Sequence, residues 1–211
     1  MINGILFDLD GTLVDTNELI IDSFKYTFEV LKKETPSREE IISCFGEPIY
    51  ESMGKYFDDV EEAVRTYREY NLKYHDERIS YFKGAKELLS ILKNRGYKLA
   101  IVTSKNRSTA LRALEILGLY DYFDAFVTSD DVNTHKPDPE PVLKACKLLN
   151  LSPKETIMVG DSIYDIISGR NAGSKTCGVL YSFMKEDLLK AKADNYVEHL
   201  LDIIYIINKN N

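Results

Sequence analysis

The chain has 211 residues, 44 % of them hydrophobic, and its 27 Lys and Arg stand against 34 Asp and Glu for a formal charge of −7 at pH 7. That length and composition suit one α/β domain of ordinary size plus an insertion. The acidic balance, with no basic arm or stripe to neutralise phosphates, argues against nucleic acid as a partner.

The opening stretch "GILFDLDGTLVDTN" (4–17) predicts a strand over residues 2–8, with no charged and apolar leader of the kind that marks a signal peptide. Side chains on extended backbone alternate faces, so Asp8 and Asp10 project to one side and Leu9 packs on the other. Two like charges in one small site are costly unless a cation or a shared proton joins them. Residues 16–82 follow with four segments of helical spacing, "NELIIDSFKYTFEVLKKE", "SREEIISCFG", "PIYESMGKYF" and "DVEEAVRTYREYNLKYHDERI", and no convincing strand. This block carries nine Lys and Arg against fifteen Asp and Glu, so it is no broad basic lid.

From residue 84 the pattern changes. The apolar runs "KLAIVTS" (98–104), "AFVTSDD" (125–131), "TIMVGDS" (156–162) and "TCGVLYS" (176–182) alternate with the amphipathic segments "GAKELLSILKNRG", "STALRALEILG", "EPVLKACKLLN" and "YDIISGRNAG". Such alternation predicts βαβ units and a parallel sheet of at least five strands, covered by helices on both faces. The expected architecture is therefore an α/β, Rossmann-like, doubly wound core built from residues 1–15 and 83–211, with an all-α cap inserted at 16–82. The late apolar stretch "LLDIIYII" (200–207) is far shorter than the ~20 residues that span a membrane and reads as a final helix. It fits either packing on the core or a dimer contact, so a monomer or weak homodimer is expected. Cys44, Cys146 and Cys177 lack CxxC spacing and read as free buried thiols, which with the missing leader points to the cytoplasm and no membrane partner.

In an open parallel sheet, ligands bind beyond the carboxyl ends of the strands. Four predicted strand ends or the loops after them carry reactive residue types: Asp8 and Asp10, Thr103 and Ser104, Lys136 in "NTHKPDPEP", and Asp161 with Asp165 in "VGDSIYD". Taken singly these are ordinary helix caps or solvated charges. Together, several carboxylates and one lysine in one crevice call for a hard divalent cation. Mg²⁺ takes one or two carboxylates, waters and substrate phosphate oxygens.

The motifs "DLDGTLVD", "VTSKN", "HKPDPEP" and "VGDSIYD", in that order, resemble the four motifs of the haloacid dehalogenase-like superfamily, in its phosphatase branch with a helical cap after the first motif. The resemblance implies Mg²⁺-dependent phosphohydrolase chemistry through an aspartyl-phosphate. Asp8 matches the nucleophile and Asp10 the general acid that later serves as base. Thr103 matches a hydroxyl donor to the transferring phosphoryl group, and Lys136 the lysine that neutralises nucleophile and phosphate. Asp161 matches a metal ligand beside Asp8 and Asp10. Asp165 matches a further acidic residue, either a direct ligand or an orienting neighbour. Gly11, Thr103, Ser104, Lys136 and Gly46 are the expected phosphate-binding positions. Asp10 separates this pattern from dehalogenases and from the phosphoryl-transferring ATPases, leaving phosphatase or phosphomutase chemistry.

Specificity is expected in the cap, whose loop "CFGEPIYESM" (44–53) joins two helices at a turn made by Gly46 and Pro48. Lys55, Arg65, Arg68 and His75 are the cap residues able to contact an anion, although most such charges are simply solvated. The stretches "LVDTNELIIDSF", "YHDERI" and "TSDDVNTHKPDPEPV" are similar to the small bacterial inorganic pyrophosphatases that act alongside HPr kinase/phosphorylase, which implies pyrophosphate as substrate, with phosphoglycolate or another small phosphomonoester second. A hexose-phosphate mutase shares the core, but nothing in 16–82 demands one. A phospho-accepting receiver module has no use for the insertion or for Asp10.

Overall fold

The computed structural model describes residues 1–210. Its organising strand is β1 (Gly4–Phe7), four residues all buried. Ile5 and Phe7 join the apolar cluster on one face of the sheet while Leu6 joins that on the other, the alternation that extended backbone imposes. A strand apolar on both faces requires cover on both, and the helices supply it.

The chain continues through β2 (Val14–Asp15) into four helices, α1 (Asn17–Val30), α2 (Arg38–Ile42), α3 (Ile49–Gly54) and α4 (Val60–Arg78). Ser37 and Glu40 form a capping box that starts α2, and the Asp59 carboxylate accepts from the Glu62 amide to start α4. Phe24, Phe28, Ile41, Met53, Phe57 and Val64 gather in an apolar cluster of their own, apart from the clusters on the sheet. After β3 (Ser80–Tyr81) the alternation sets in: α5 (Ala85–Asn94), β4 (Lys98–Val102), α6 (Arg107–Ile116), β5 (Ala125–Val127), α7 (Glu140–Leu149), β6 (Thr156–Gly160), α8 (Ile163–Ala172), β7 (Lys175–Val179), α9 (Lys185–Lys190), β8 (Asn195–Val197) and α10 (Ile203–Asn210).

Among the described residues, six strands form one sheet in the order β5-β4-β1-β6-β7-β8, every neighbouring pair parallel. From β1 the order runs outward both ways, so the carboxyl end of β1 opens at the crevice where such sheets bind ligands. One face is filled by Leu88, Leu89, Leu114 and the α10 residues Ile203, Ile206 and Ile207; on the other Val142, Ala145 and Leu149 of α7 cover Leu6, Ala100 and Met158.

Three details depart from the sequence reading. Residues 80–81, inside the stretch read as free of strands, pair antiparallel with Val14–Asp15, a two-residue ladder too short to leave an alternating pattern. β8 adds a sixth strand whose "NYV" carries no apolar run and is ordered by its pairing with β7. The predicted strands also end early: 103–104, 128–131, 161–162 and 180–182 leave the ladder and form the loops that carry the polar residues. The final segment packs onto the sheet through its isoleucines, with Tyr205 left 74 % exposed on its outer side.

Candidate active site

The backbone of β1 keeps its register one residue past the strand, where the Asp8 amide donates to the Val159 carbonyl at 2.9 Å. The chain then turns tightly, with the amides of Leu13 and Val14 on the Leu9 carbonyl and that of Gly11 on the Val14 carbonyl. Leu9 is buried in the sheet's apolar cluster, while Asp8 and Asp10 both face one cavity, as the alternation requires. Gly11 has φ of +78°, and a Cβ there would lie 2.3 Å from Oδ2 of Asp161, so glycine is what lets the turn pass over that carboxylate.

Lys136 is 4 % exposed, and its ammonium donates three ways: to Oδ1 of Asp8 at 2.8 Å, to Oδ1 of Asp165 at 2.6 Å and to the Val102 carbonyl at 3.2 Å. The other oxygen of Asp165 accepts from the Ser162 amide (3.0 Å) and hydroxyl (2.7 Å), in the capping box that starts α8. Both Asp165 oxygens are thus engaged by the protein, an arrangement that fixes the lysine. Among the described residues the Asp161 carboxylate has only long contacts, from the Thr12 and Ser182 hydroxyls at 3.4 Å each.

One oxygen from each of Asp8, Asp161 and Asp165 lies within 4.8 Å of the others. Three buried carboxylates therefore face one buried ammonium. Burial pushes the Asp8 carboxyl up to about 7, with Lys136 pulling down and the Asp165 and Asp10 charges adding to the rise. Asp161 is driven well above the carboxylate range by burial and by the charges of Asp8 and Asp165. Burial opposes the charge on Lys136, but Asp165 and Asp8 more than offset it and hold the ammonium above its usual range. Excess negative charge on an all-oxygen donor set, with Asp161 weakly held by the protein, fits a hard divalent cation.

Asp10 stands apart from that cluster. Its Oδ1 accepts from the Thr16 hydroxyl at 2.8 Å, and both its oxygens accept from Lys105 Nζ at 3.0 Å. Lys105 lies within the "VTSKN" motif, but a lysine just past a strand end reads from sequence as a solvated charge, and no local signal marks it as part of the site. Its partner lies 95 residues away, and only the tertiary fold brings them together. Thr103 is buried at the cavity wall, its hydroxyl accepting from the Lys105 amide at 3.2 Å.

Ser104 serves the neighbouring loop, donating to the Gly46 carbonyl at 2.9 Å, and the Tyr164 hydroxyl donates to Glu47 at 2.7 Å. Gly46 has φ of +85°, and a Cβ there would meet Ser162 and Tyr164 at about 3 Å, so the 44–53 loop sits directly on the start of α8. The cavity between, about 380 Å³, is walled by Asp8, Asp10, Thr103 and Asp161 on the sheet side and by Phe45–Ser52, Tyr67, Arg68 and Asn71 on the helical side. Of the four charged or titratable residues singled out at 16–82, Arg68 alone lines it. Lys55 is tied to Glu47 (2.6 and 2.7 Å), Arg65 is exposed beside Glu62, and His75 is fully buried with Nδ1 on Asp76.

The family model for haloacid dehalogenase-like hydrolases matches residues 5–179. The chain is 45 % identical over 208 residues to the pyrophosphatase PpaX of Halalkalibacterium halodurans, covering 96 % of this chain and 97 % of that protein. It is 40 % identical over 212 residues to the pyrophosphatase PpaX of Bacillus cereus strain G9842, covering 100 % and 98 %. Among solved structures, a haloacid dehalogenase-like family hydrolase from Streptococcus pneumoniae superposes with a TM-score of 0.87 at 28 % identity over 98 % of each chain. With the family's motifs in order and a match across most of its length, this chain belongs to the haloacid dehalogenase-like hydrolase family.

Proposed function

We propose that this protein is a Mg²⁺-dependent inorganic pyrophosphatase that works through an aspartyl-phosphate on Asp8, with residues 1–15 and 83–211 as catalytic core and 16–82 as cap. The observation that carries the reading is Asp8 itself, a buried carboxylate bonded to Lys136 and grouped with Asp161 and Asp165 at the wall of a cavity sized for a small molecule. The names of relatives at 40–45 % identity support pyrophosphate as the substrate.

In this scheme an Asp8 oxygen attacks phosphorus, the bond from phosphorus to the bridging oxygen breaks, and Asp10 gives that oxygen its proton as inorganic phosphate leaves. Water then attacks the phosphorus of the aspartyl-phosphate, passes a proton to Asp10 and frees the Asp8 carboxylate, so both residues return to their starting states. Lys136 balances charge on Asp8 and the phosphoryl group, and the Thr103 hydroxyl at the cavity wall would donate to an equatorial oxygen; the Gly11 amide is engaged by the Val14 carbonyl, so that glycine serves the turn rather than the phosphate. Asp8, held by the lysine that Asp165 fixes, and Asp161, contacted by Thr12, would hold Mg²⁺. When bound, the ion neutralises charge on the transferring phosphoryl group.

Phosphate release measured with Mg²⁺ for pyrophosphate and 2-phosphoglycolate side by side tests the substrate. A kcat/KM at least tenfold higher for pyrophosphate, about 1.4 kcal/mol of transition-state preference, is expected. A preference for 2-phosphoglycolate would overturn the pyrophosphate reading and leave the phosphatase chemistry in place.

The metal makes its own prediction. Because Asp8 is pushed up to about 7, a cation must displace a proton below that pH and meets a free carboxylate above it. Mg²⁺ should therefore raise Tm, and by more at pH 8 than at pH 6, while EDTA should abolish turnover reversibly. Turnover that survives EDTA, or a Tm indifferent to Mg²⁺ at both pH values, would contradict the assignment.

A further inference from the structure

The cationic groups around the cavity are not equivalent. Lys136 spends its donors on Asp8, Asp165 and a carbonyl, and Lys105 is bidentate on Asp10. Lys55, just outside, is held by Glu47. Arg68, one α4 residue on the cavity wall, is different. Among the described residues its Nε, shut off from solvent, has no hydrogen-bond partner and its guanidinium forms no ion pair. Its Cζ lies 5.4 Å from the centroid of the Tyr50 ring, and the Tyr50 hydroxyl is anchored to Glu61 at 3.1 Å.

A buried N–H without an acceptor is a cost that native proteins rarely leave standing, and a guanidinium offers a planar fork suited to phosphate or carboxylate oxygens. The stacked Tyr50 ring keeps the charge in place without neutralising it, because a π face attracts a cation but contributes no counter-ion. Arg68 is thus preset for an anion that arrives from outside. The transferring phosphoryl group has its own partners on the sheet side, in Asp8, Lys136 and Thr103. An anion on the helical side belongs to the part of the substrate that leaves.

We propose that Arg68 binds the anionic part of the leaving group, so that this enzyme selects phosphoryl donors whose leaving group already carries negative charge. The proposal rests on the phosphohydrolase reading above and deepens it. It does not depend on which of two anions departs, since the second phosphate of pyrophosphate and the carboxylate of 2-phosphoglycolate present the same oxygen chemistry to the fork.

The test compares Arg68→Gln and Arg68→Lys with the natural protein on pyrophosphate, on 2-phosphoglycolate and on p-nitrophenyl phosphate, whose leaving group carries no anion before cleavage. Arg68→Gln is expected to lower kcat/KM for the better of the two substrates with an anionic leaving group by about 10- to 100-fold, the range for losing hydrogen bonds to a charged group, while p-nitrophenyl phosphate stays within about twofold. Arg68→Lys should recover part of the loss by restoring the charge without the fork. Unchanged p-nitrophenyl phosphate turnover also reports that the variant is folded. Equal losses on all three substrates would make Arg68 a purely structural residue, and no loss on any would remove it from the site; either overturns the proposal. The selective loss appearing on 2-phosphoglycolate in an enzyme that ignores pyrophosphate would support Arg68 as the anion reader while refuting the pyrophosphate assignment.

Discussion

Replacing Asp8 with asparagine is expected to lower kcat for phosphate release by about 10⁴-fold or more, because the variant retains the shape of the site but has no carboxylate to form the phosphoenzyme. The fold should survive. Lys136 keeps its bonds to Asp165 and to the Val102 carbonyl when the Asp8 charge is removed. The sign of the stability change follows from the position of the Asp8 pKa, raised from its ordinary 3.8 to about 7. Between those values the folded state holds a proton that the unfolded chain gives up, so stability falls as pH rises through the window. At pH 8 the natural metal-free protein bears the full cost of an ionised Asp8, and a neutral asparagine does not. Without metal, the variant's Tm at pH 8 should therefore equal or exceed that of the natural protein. Near-normal activity would remove Asp8 as the nucleophile, and a collapsed Tm would mean that its charge is structural.

Asp10→Asn should slow both chemical steps, by about 10²–10⁴-fold, because one carboxyl is asked to give a proton and then to take one. The two demands separate when the leaving group needs no proton. With p-nitrophenyl phosphate the variant should form the phosphoenzyme at close to the natural rate and then stall, so that stopped-flow traces show a burst of p-nitrophenolate of about one equivalent per site followed by slow turnover. With pyrophosphate no burst is expected. The same variant loosens a second contact, since Lys105 donates to both Asp10 oxygens and is only 11 % exposed at its side chain. Loss of that counter-charge should appear as a lower Tm rather than as a change in the burst, which keeps the catalytic and structural contributions distinguishable. Equal rates with and without the substitution on both substrates would contradict the acid/base role.

How much of the fold and the site is legible in the sequence depends on the distance over which each feature is determined. β1, β4, β6 and β7 are largely apolar runs because they lie in the interior of a covered parallel sheet, and interior strands announce themselves that way. The residues just past them, Asp8, Thr103 and Asp161, could be read as a group because the fold class alone brings strand ends together. β8 and β3 could not, since strands of three and two residues owe their order to a neighbour's backbone rather than to their own side chains. The role of Asp165 was half legible. Its pairing with Ser162 follows a local Ser-x-x-Asp capping pattern, whereas its bond to Lys136 spans 29 residues and emerges only in three dimensions. Among Lys55, Arg65, Arg68 and His75, helical spacing shows which face each occupies but not how the helices sit over the sheet. Only the placed helices separate Arg68 on the cavity wall from Lys55 on Glu47 and His75 in the interior.

The central claim is that phosphate passes through a covalent bond to Asp8, and the most direct test is to trap it. Samples turning over pyrophosphate with Mg²⁺ would be quenched through the approach to steady state, treated with borohydride, which reduces an acyl phosphate to the alcohol, and mapped by peptide mass spectrometry. The expected result is conversion of residue 8 to homoserine, dependent on substrate and absent from untreated samples. Reduction at a different residue, or an intact Asp8 at every time point while phosphate is being released, would contradict the account.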